Sequence, residues 1–161
     1  MCTACSSSKV EALQETETVD TVLLEADFYD AISNNPIDAA FILEDESAEN
    51  RIKQAKQCSD AWMAEIENSF NVLEEYLSEE DYAGLCSAYE GWKQYIDDMF
   101  AVEQKIYYVG SEYLAISDLA GGSLTYPRVM EVKAQRVRDY AIEMKALEYT
   151  FTGNVEWIYV Q

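Results

Sequence analysis

Apolar residues return at helical spacing along three long segments of the chain. In the middle one, Leu85, Trp92, Met99, Ile106 and Tyr113 recur every seven residues. Tyr89, Ile96, Val102, Val109 and Ile116 fill the intervening position, with one step shortened to six. Both rows fall along one helical stripe. The pattern predicts one long amphipathic helix from Ser78 to Ser123, stopped by Gly121-Gly122-Ser123 and packed against partners before and after it in the chain.

The segment before it, from about Glu46 to Leu77, steps by three or four through Ala48, Ile52, Ala55, Cys58, Trp62, Ile66, Phe70 (or Ser69), Leu73 and Leu77. Ser78 and Asp81 then have the form of a capping box, a hydroxyl at the N-cap and a carboxylate three residues on. The segment after it carries Met130, Ala134, Val137, Ala141, Met144, Leu147 and Phe151 on its inward face. Pro127 fits its first turn, where a missing N–H is harmless, and Thr152-Gly153-Asn154 stops it. A shorter acidic helix is expected at 19–33, ended before Pro36, with one more helical turn between Ile37 and Leu43. Residues 155–160, VEWIYV, are β-prone and apolar and predict an extended segment packed on the helices. Residues 1–18 are polar and small and read as a flexible tether. The expected fold is all-α: an elongated antiparallel three-helix bundle with a short N-terminal helix and an extended C-terminal tail, one domain over 19–161.

The turns serve as rulers. Antiparallel helices joined near residue 78 bring positions level when their numbers sum to about 156, from equal rise along both. Trp62 and Trp92 then share a core layer. Cys58 and Cys86 lie about 18 Å apart along the axis, too far for a disulfide, so both are expected as buried free thiols. About the turn near residue 122, Arg136 is level with about residue 108. Glu103 and Glu112 lie about one turn to either side, and an interhelical salt bridge is the expected use of Arg136.

Charge and composition narrow the chemistry. The net charge is −20, and residues 1–80 carry 19 of the 31 acids but 4 of the 11 bases. Such a surface repels nucleic acid and anionic lipid and attracts a cationic partner; it also keeps a secreted protein in solution. There is no histidine, which removes Ser-His-Asp and Cys-His nucleophile systems and the commonest metal ligand. No apolar run is long enough to span a membrane. The densest acidic cluster, Glu44-Asp45-Glu46, lacks the alternating ligand spacing and central glycine of a calcium loop. No metal or cofactor is expected. At the N-terminus, Thr3-Ala4-Cys5 followed by Ser6-Ser7-Ser8 resembles the end of a bacterial lipoprotein signal, making Cys5 a lipidation candidate.

Taken in order, Asn35-Pro36-Ile37-Asp38, Trp62 with Phe70 and Leu73, Leu85 with Ala88, Trp92 and Tyr95, Gly121-Gly122-Ser123, and Arg136 form a set. Over about residues 35–150 it resembles the domain family named for the N-terminal part of the mycobacterial lysozyme-inhibitor lipoprotein LprI. The chain departs from that pattern where the family writes a glutamine (Tyr89), an arginine (Ile96) and a second cysteine (Phe100). The disulfide common among relatives cannot form here in that way.

The resemblance implies an extracytoplasmic helical domain, lipid-anchored or secreted, and in one branch inhibition of lysozyme, a basic protein with carboxylates in its cleft. The Gly121–Tyr126 loop and the acidic segment 44–49 are the candidates for entering such a cleft. The expectation is a non-enzymatic cell-envelope binding module whose partner is a basic protein such as lysozyme, with membrane contact only through the lipid. Alternatives are an envelope hydrolase using paired carboxylates and a purely structural surface lipoprotein.

Overall fold

The computed structural model describes residues 26–41, 47–113 and 125–160, and of residues 107–113 and 125 the backbone alone. The described residues are all-helical apart from turns and the C-terminal stretch 153–160. Helix α1 covers 26–33, α2 Pro36–Ala40, α3 Ala48–Glu74, α4 Glu79–Tyr113 and α5 Thr125–Thr152. The tether and the Gly121-Gly122-Ser123 stop lie outside the described residues.

The helix ends follow local chemistry. Asn35 caps α2 by accepting the Asp38 N–H at 2.7 Å, and its own amide group donates to the Ile32 carbonyl at 2.7 Å. One side chain thus satisfies both the end of α1 and the start of α2. Ser47 opens α3 by accepting from the Asn50 N–H. Ser78 opens α4: its hydroxyl accepts from the Asp81 N–H at 3.2 Å and donates to the Asp81 carboxylate at 2.6 Å. Gly153 ends α5 at φ +66°, a left-handed conformation that strains any residue with a Cβ.

The core forms chiefly between α3 and α5. Trp62, Ile66 and Leu73 from α3 meet Val137, Ala141 and Met144 from α5, with Ile37 of α2 closing one end; each is at most 2% exposed. Contacts between the two helices keep a nearly constant separation in sequence. Arg51 meets Glu131, Glu65 meets Lys145 and Ser69 meets Glu148. An offset of about 80 residues that does not change along the axis means that α3 and α5 run side by side in the same direction.

The sequence pattern makes α4 the helix shared by the segments before and after it; in the structure that place belongs to α5. Helix α5 packs on both α3 and α4, whereas α3 and α4 share little backbone proximity and meet through Phe70, Tyr82 and Tyr89. On the described part of α4, Ile96 alone is fully buried; Leu85, Trp92 and Met99 are half-buried, and Val102 and Ile106 are exposed. Its aromatic side chains pack on the core from outside: Trp92 stacks on Tyr140 with ring centroids 4.2 Å apart, and Tyr89 stacks beside them.

Trp62 and Trp92 border one hydrophobic cluster, and the ring on Trp62 is that of Trp157, edge-on at 5.7 Å. Two narrower expectations change. Cys58 and Cys86 are free, but each is half-buried rather than buried. On α5 the buried row turns at Met144 toward Lys145 and Glu148, leaving Leu147 and Phe151 more than two-fifths exposed.

Candidate functional site

Charge networks, two clefts and the family-motif residues are the places where chemistry is concentrated. The most enclosed network centres on Lys145, whose side chain is completely buried. Its ammonium lies 3.1 Å from Glu65 Oε2 and 3.1 Å from Glu148 Oε2, and donates to the Glu156 carbonyl at 2.7 Å. Glu148 also accepts from the Ser69 hydroxyl at 2.6 Å. The other Glu65 oxygen accepts the backbone N–H groups of Ile158 and Tyr159, both at 2.9 Å. Trp157 covers the ammonium at 5.6 Å and Tyr159 rests on Phe41. Two carboxylates and one cation are therefore sealed beneath the C-terminal stretch. The glutamates neutralise the lysine and hold the tail; neither is open to a substrate.

A cleft of about 480 Å³ opens between α2, α3 and α5. Two ion pairs span it. Arg51 binds Glu131 through two nitrogens at 2.6 and 2.8 Å. Arg138 binds Asp38, with Nη2 donating at 2.6 Å and Nε at 2.8 Å. Burial alone would raise the Asp38 carboxyl, but the hydrogen bonds from Arg138 and Asn35 outweigh it and hold it below the usual carboxylate range. The same bond stabilises the Arg138 cation, which sits 5.6 Å above the Trp62 ring. Cys58 lines the cleft, where burial and the neighbouring Asp38 push its thiol up, away from the nucleophilic thiolate. Both ion pairs join one helix to another, so the cleft is a fastening between helices.

A second cleft, of about 360 Å³, lies between α3 and α4. Phe70, Tyr82 and Tyr89 form its apolar wall, and Glu67 and Glu90 are in its lining. Phe70 lies 4.8 Å from Tyr89 and 6.3 Å from Tyr82, ring centre to ring centre. Burial raises both phenols, with Glu74 adding to the effect at Tyr82 and Glu67 and Glu90 at Tyr89. The tyrosines therefore stay neutral and the carboxylates supply the charge.

Of the family-motif residues, Trp62 is fully buried core. Leu85 and Trp92 form the half-buried wall of α4, and Tyr95 is exposed. Arg136 pairs with Glu103 through both terminal nitrogens at 2.8 and 2.5 Å; Glu103 is one of the two carboxylates the turn ruler offered, and the side chain of the other, Glu112, lies outside the described residues. That pair pulls the Glu103 carboxyl below its usual range, against a smaller effect of burial. The set is not gathered into one site: Trp62 faces the tail, Trp92 faces Tyr140, and Arg136 lies on the α4–α5 seam. Cys5, Gly121, Gly122, Ser123 and the Glu44-Asp45-Glu46 cluster lie outside the described residues.

The spacing arguments missed Asp38, Arg138, Glu65, Lys145 and Glu148. A signal existed for three of them. Glu65 falls within the apolar arc of Trp62, Ile66 and Ser69, while Lys145 and Glu148 continue the arc of Ala141 and Met144. A charge inside an apolar arc needs an opposite charge inside a facing one.

Among the described residues no group of three histidine, cysteine or acidic side chains could hold a metal ion, and no helix is long and apolar enough to cross a membrane. Comparison with protein-family models, with curated proteins and with solved structures finds no match for this chain.

Proposed function

We propose that this protein is a non-enzymatic, extracytoplasmic binding module of the bacterial cell envelope that engages a basic protein, with lysozyme the partner that the family resemblance implies. In this reading the three long helices form an elongated antiparallel bundle, α3 up, α4 down and α5 up, and the C-terminal tail is strapped along α3. A lipid on Cys5 would hold the domain at the membrane through the 1–18 tether.

The observation that carries the reading is the disposition of charge. Cations of the clefts, the α4–α5 seam and the core are engaged in ion pairs within the fold, as in Arg51–Glu131, Arg138–Asp38, Arg136–Glu103 and Lys145 with its two glutamates. Those pairs leave the chain's excess of acids over bases, a net charge of −20, unneutralised. A field of that sign recruits a basic protein and accelerates encounter with it, an effect that salt removes. The buried pair Glu65 and Glu148 does not support a hydrolase, because paired catalytic carboxylates need a cleft with room for substrate.

Lysozyme activity on cell walls, measured with and without the protein at low and physiological salt, tests the proposal. Inhibition that weakens as salt rises is expected. Full lysozyme activity at equimolar excess and low salt would exclude the inhibitor role and favour a structural surface lipoprotein. Mass spectrometry of the N-terminal peptide from the membrane-expressed protein tests lipidation at Cys5.

A further inference from the structure

The α3–α4 cleft has the composition of a cation receptor. Three aromatic rings converge on it from two helices, and the faces of such rings carry negative potential that attracts cations. Glu67 on α3 and Glu90 on α4 lie in the same lining, and both act on the Tyr89 hydroxyl. Glu74 reaches Tyr82 in the same manner.

The fold already uses this chemistry at the rim. The ammonium of Lys93 sits 4.6 Å from the Tyr89 ring centre while pairing with Glu90 at 2.5 Å. An aromatic face plus a carboxylate thus holds a cation in the structure itself. Glu67 has no such companion within the lining, which contains neither lysine nor arginine.

We propose that this cleft receives an arginine side chain presented by a basic protein partner. The guanidinium plane would stack on the aromatic wall, and its N–H fork would reach the Glu67 carboxylate and share Glu90 with Lys93 at the rim. A fork of donors suits two separated carboxylates better than a single ammonium does. Charge complementarity selects the occupant: the cleft is acidic and aromatic, in a chain of net charge −20. The proposal rests on the reading that the partner is a basic protein, and it names the point where such a partner is gripped.

The test is a titration of the full chain, followed by amide NMR shifts, with three probes: acetyl-Gly-Arg-Gly-amide, the same peptide with neutral citrulline in place of arginine, and tetramethylammonium chloride. The arginine peptide is expected to shift the amides around Phe70, Tyr82 and Tyr89 saturably, and to bind at least about tenfold tighter than the citrulline peptide. The Glu67→Gln/Glu90→Gln variant, with unchanged melting temperature, is expected to lose about tenfold in arginine-peptide affinity. Equal binding of the citrulline peptide, unchanged binding by the double variant, or shifts spread over the acidic surface instead of the cleft would each overturn the proposal. Tighter binding of tetramethylammonium than of the arginine peptide would overturn it too, by making a free quaternary amine the better occupant. The lysozyme assay separates the two readings. Arginine-peptide binding without inhibition removes lysozyme as the partner and leaves the cleft, whereas inhibition without arginine-peptide binding does the reverse.

Discussion

Replacing Lys145 with methionine should be among the most damaging single changes in the core. Lys145 lies 3.1 Å from each of two carboxylates. At an effective dielectric of about 20, each contact corresponds to about 5 kcal/mol of Coulomb attraction. The two carboxylates, both held by one ammonium, repel each other by about 3 kcal/mol on the same scale. Burying each ion costs several kcal/mol, so the intact network comes out near balance. The variant loses both attractions, keeps the repulsion and keeps two desolvated carboxylates. Breaking a buried pair in this way costs about 3–5 kcal/mol, against a total stability of about 5–15 kcal/mol for a domain. Urea unfolding followed by tryptophan fluorescence reads the loss as a lower midpoint, because Trp62 and Trp157 sit beside the network. The Lys145→Met/Glu65→Gln/Glu148→Gln variant separates charge from packing. It removes all three charges, yet the amide oxygen at position 65 can still accept the Ile158 and Tyr159 N–H groups. It should be more stable than the single variant. A loss below about 1 kcal/mol in the single variant, or a triple variant no better than the single one, would refute the account of a charge-balanced cluster.

Asp38 and Glu103 have carboxyls held below their usual range, so the unfolded chain takes up their protons first as pH falls. Their stabilisation is fully present above the unfolded value near 4, is lost below it, and should disappear from the acid limb of the stability–pH curve in Asp38→Asn and Glu103→Gln. Gly153→Ala should cost about 1 kcal/mol in urea unfolding, because φ +66° strains a Cβ even in open space. Ser78→Ala should cost about 1 kcal/mol by removing the α4 cap, measured the same way. Deleting residues 155–161 should bare Trp62 and leave Glu65 without two of its donors; a red-shifted fluorescence maximum and a lower melting temperature are expected.

Local features of this fold were legible because they rest on short-range rules. The Ser78–Asp81 box, the glycine stop after α5 and the bounds of α3 are set by neighbours within one turn. The Arg136–Glu103 pair was also within reach, since consecutive helices joined by a turn can be measured against each other. The dominant contact was not within reach. Helices α3 and α5 run parallel with a whole helix between them in the chain, so no turn relates their registers. The apolar stripe of α4 misled for a related reason. Its aromatic residues lean on the core from the side, and periodicity registers only that a face is apolar, not how deeply it is sunk. On α5, reading Leu147 and Phe151 as inward followed hydrophobicity, whereas the buried positions were the charged Lys145 and Glu148, whose burial is intelligible only once Glu65 and Ser69 face them. The α3–α4 cleft was invisible for the same reason, since its two carboxylates sit on different helices.

The bond from Glu65 to the tail also has a consequence in time. The carboxylate that receives the Ile158 and Tyr159 N–H groups belongs to α3, more than ninety residues earlier. During synthesis α3 is available long before its counter-charge Lys145, and Lys145 before the Glu156 carbonyl that completes its shell. An α3 that closed early would have to bury Glu65 alone. The Glu65–Lys145–tail network is therefore complete only once residues 145–159 have been made.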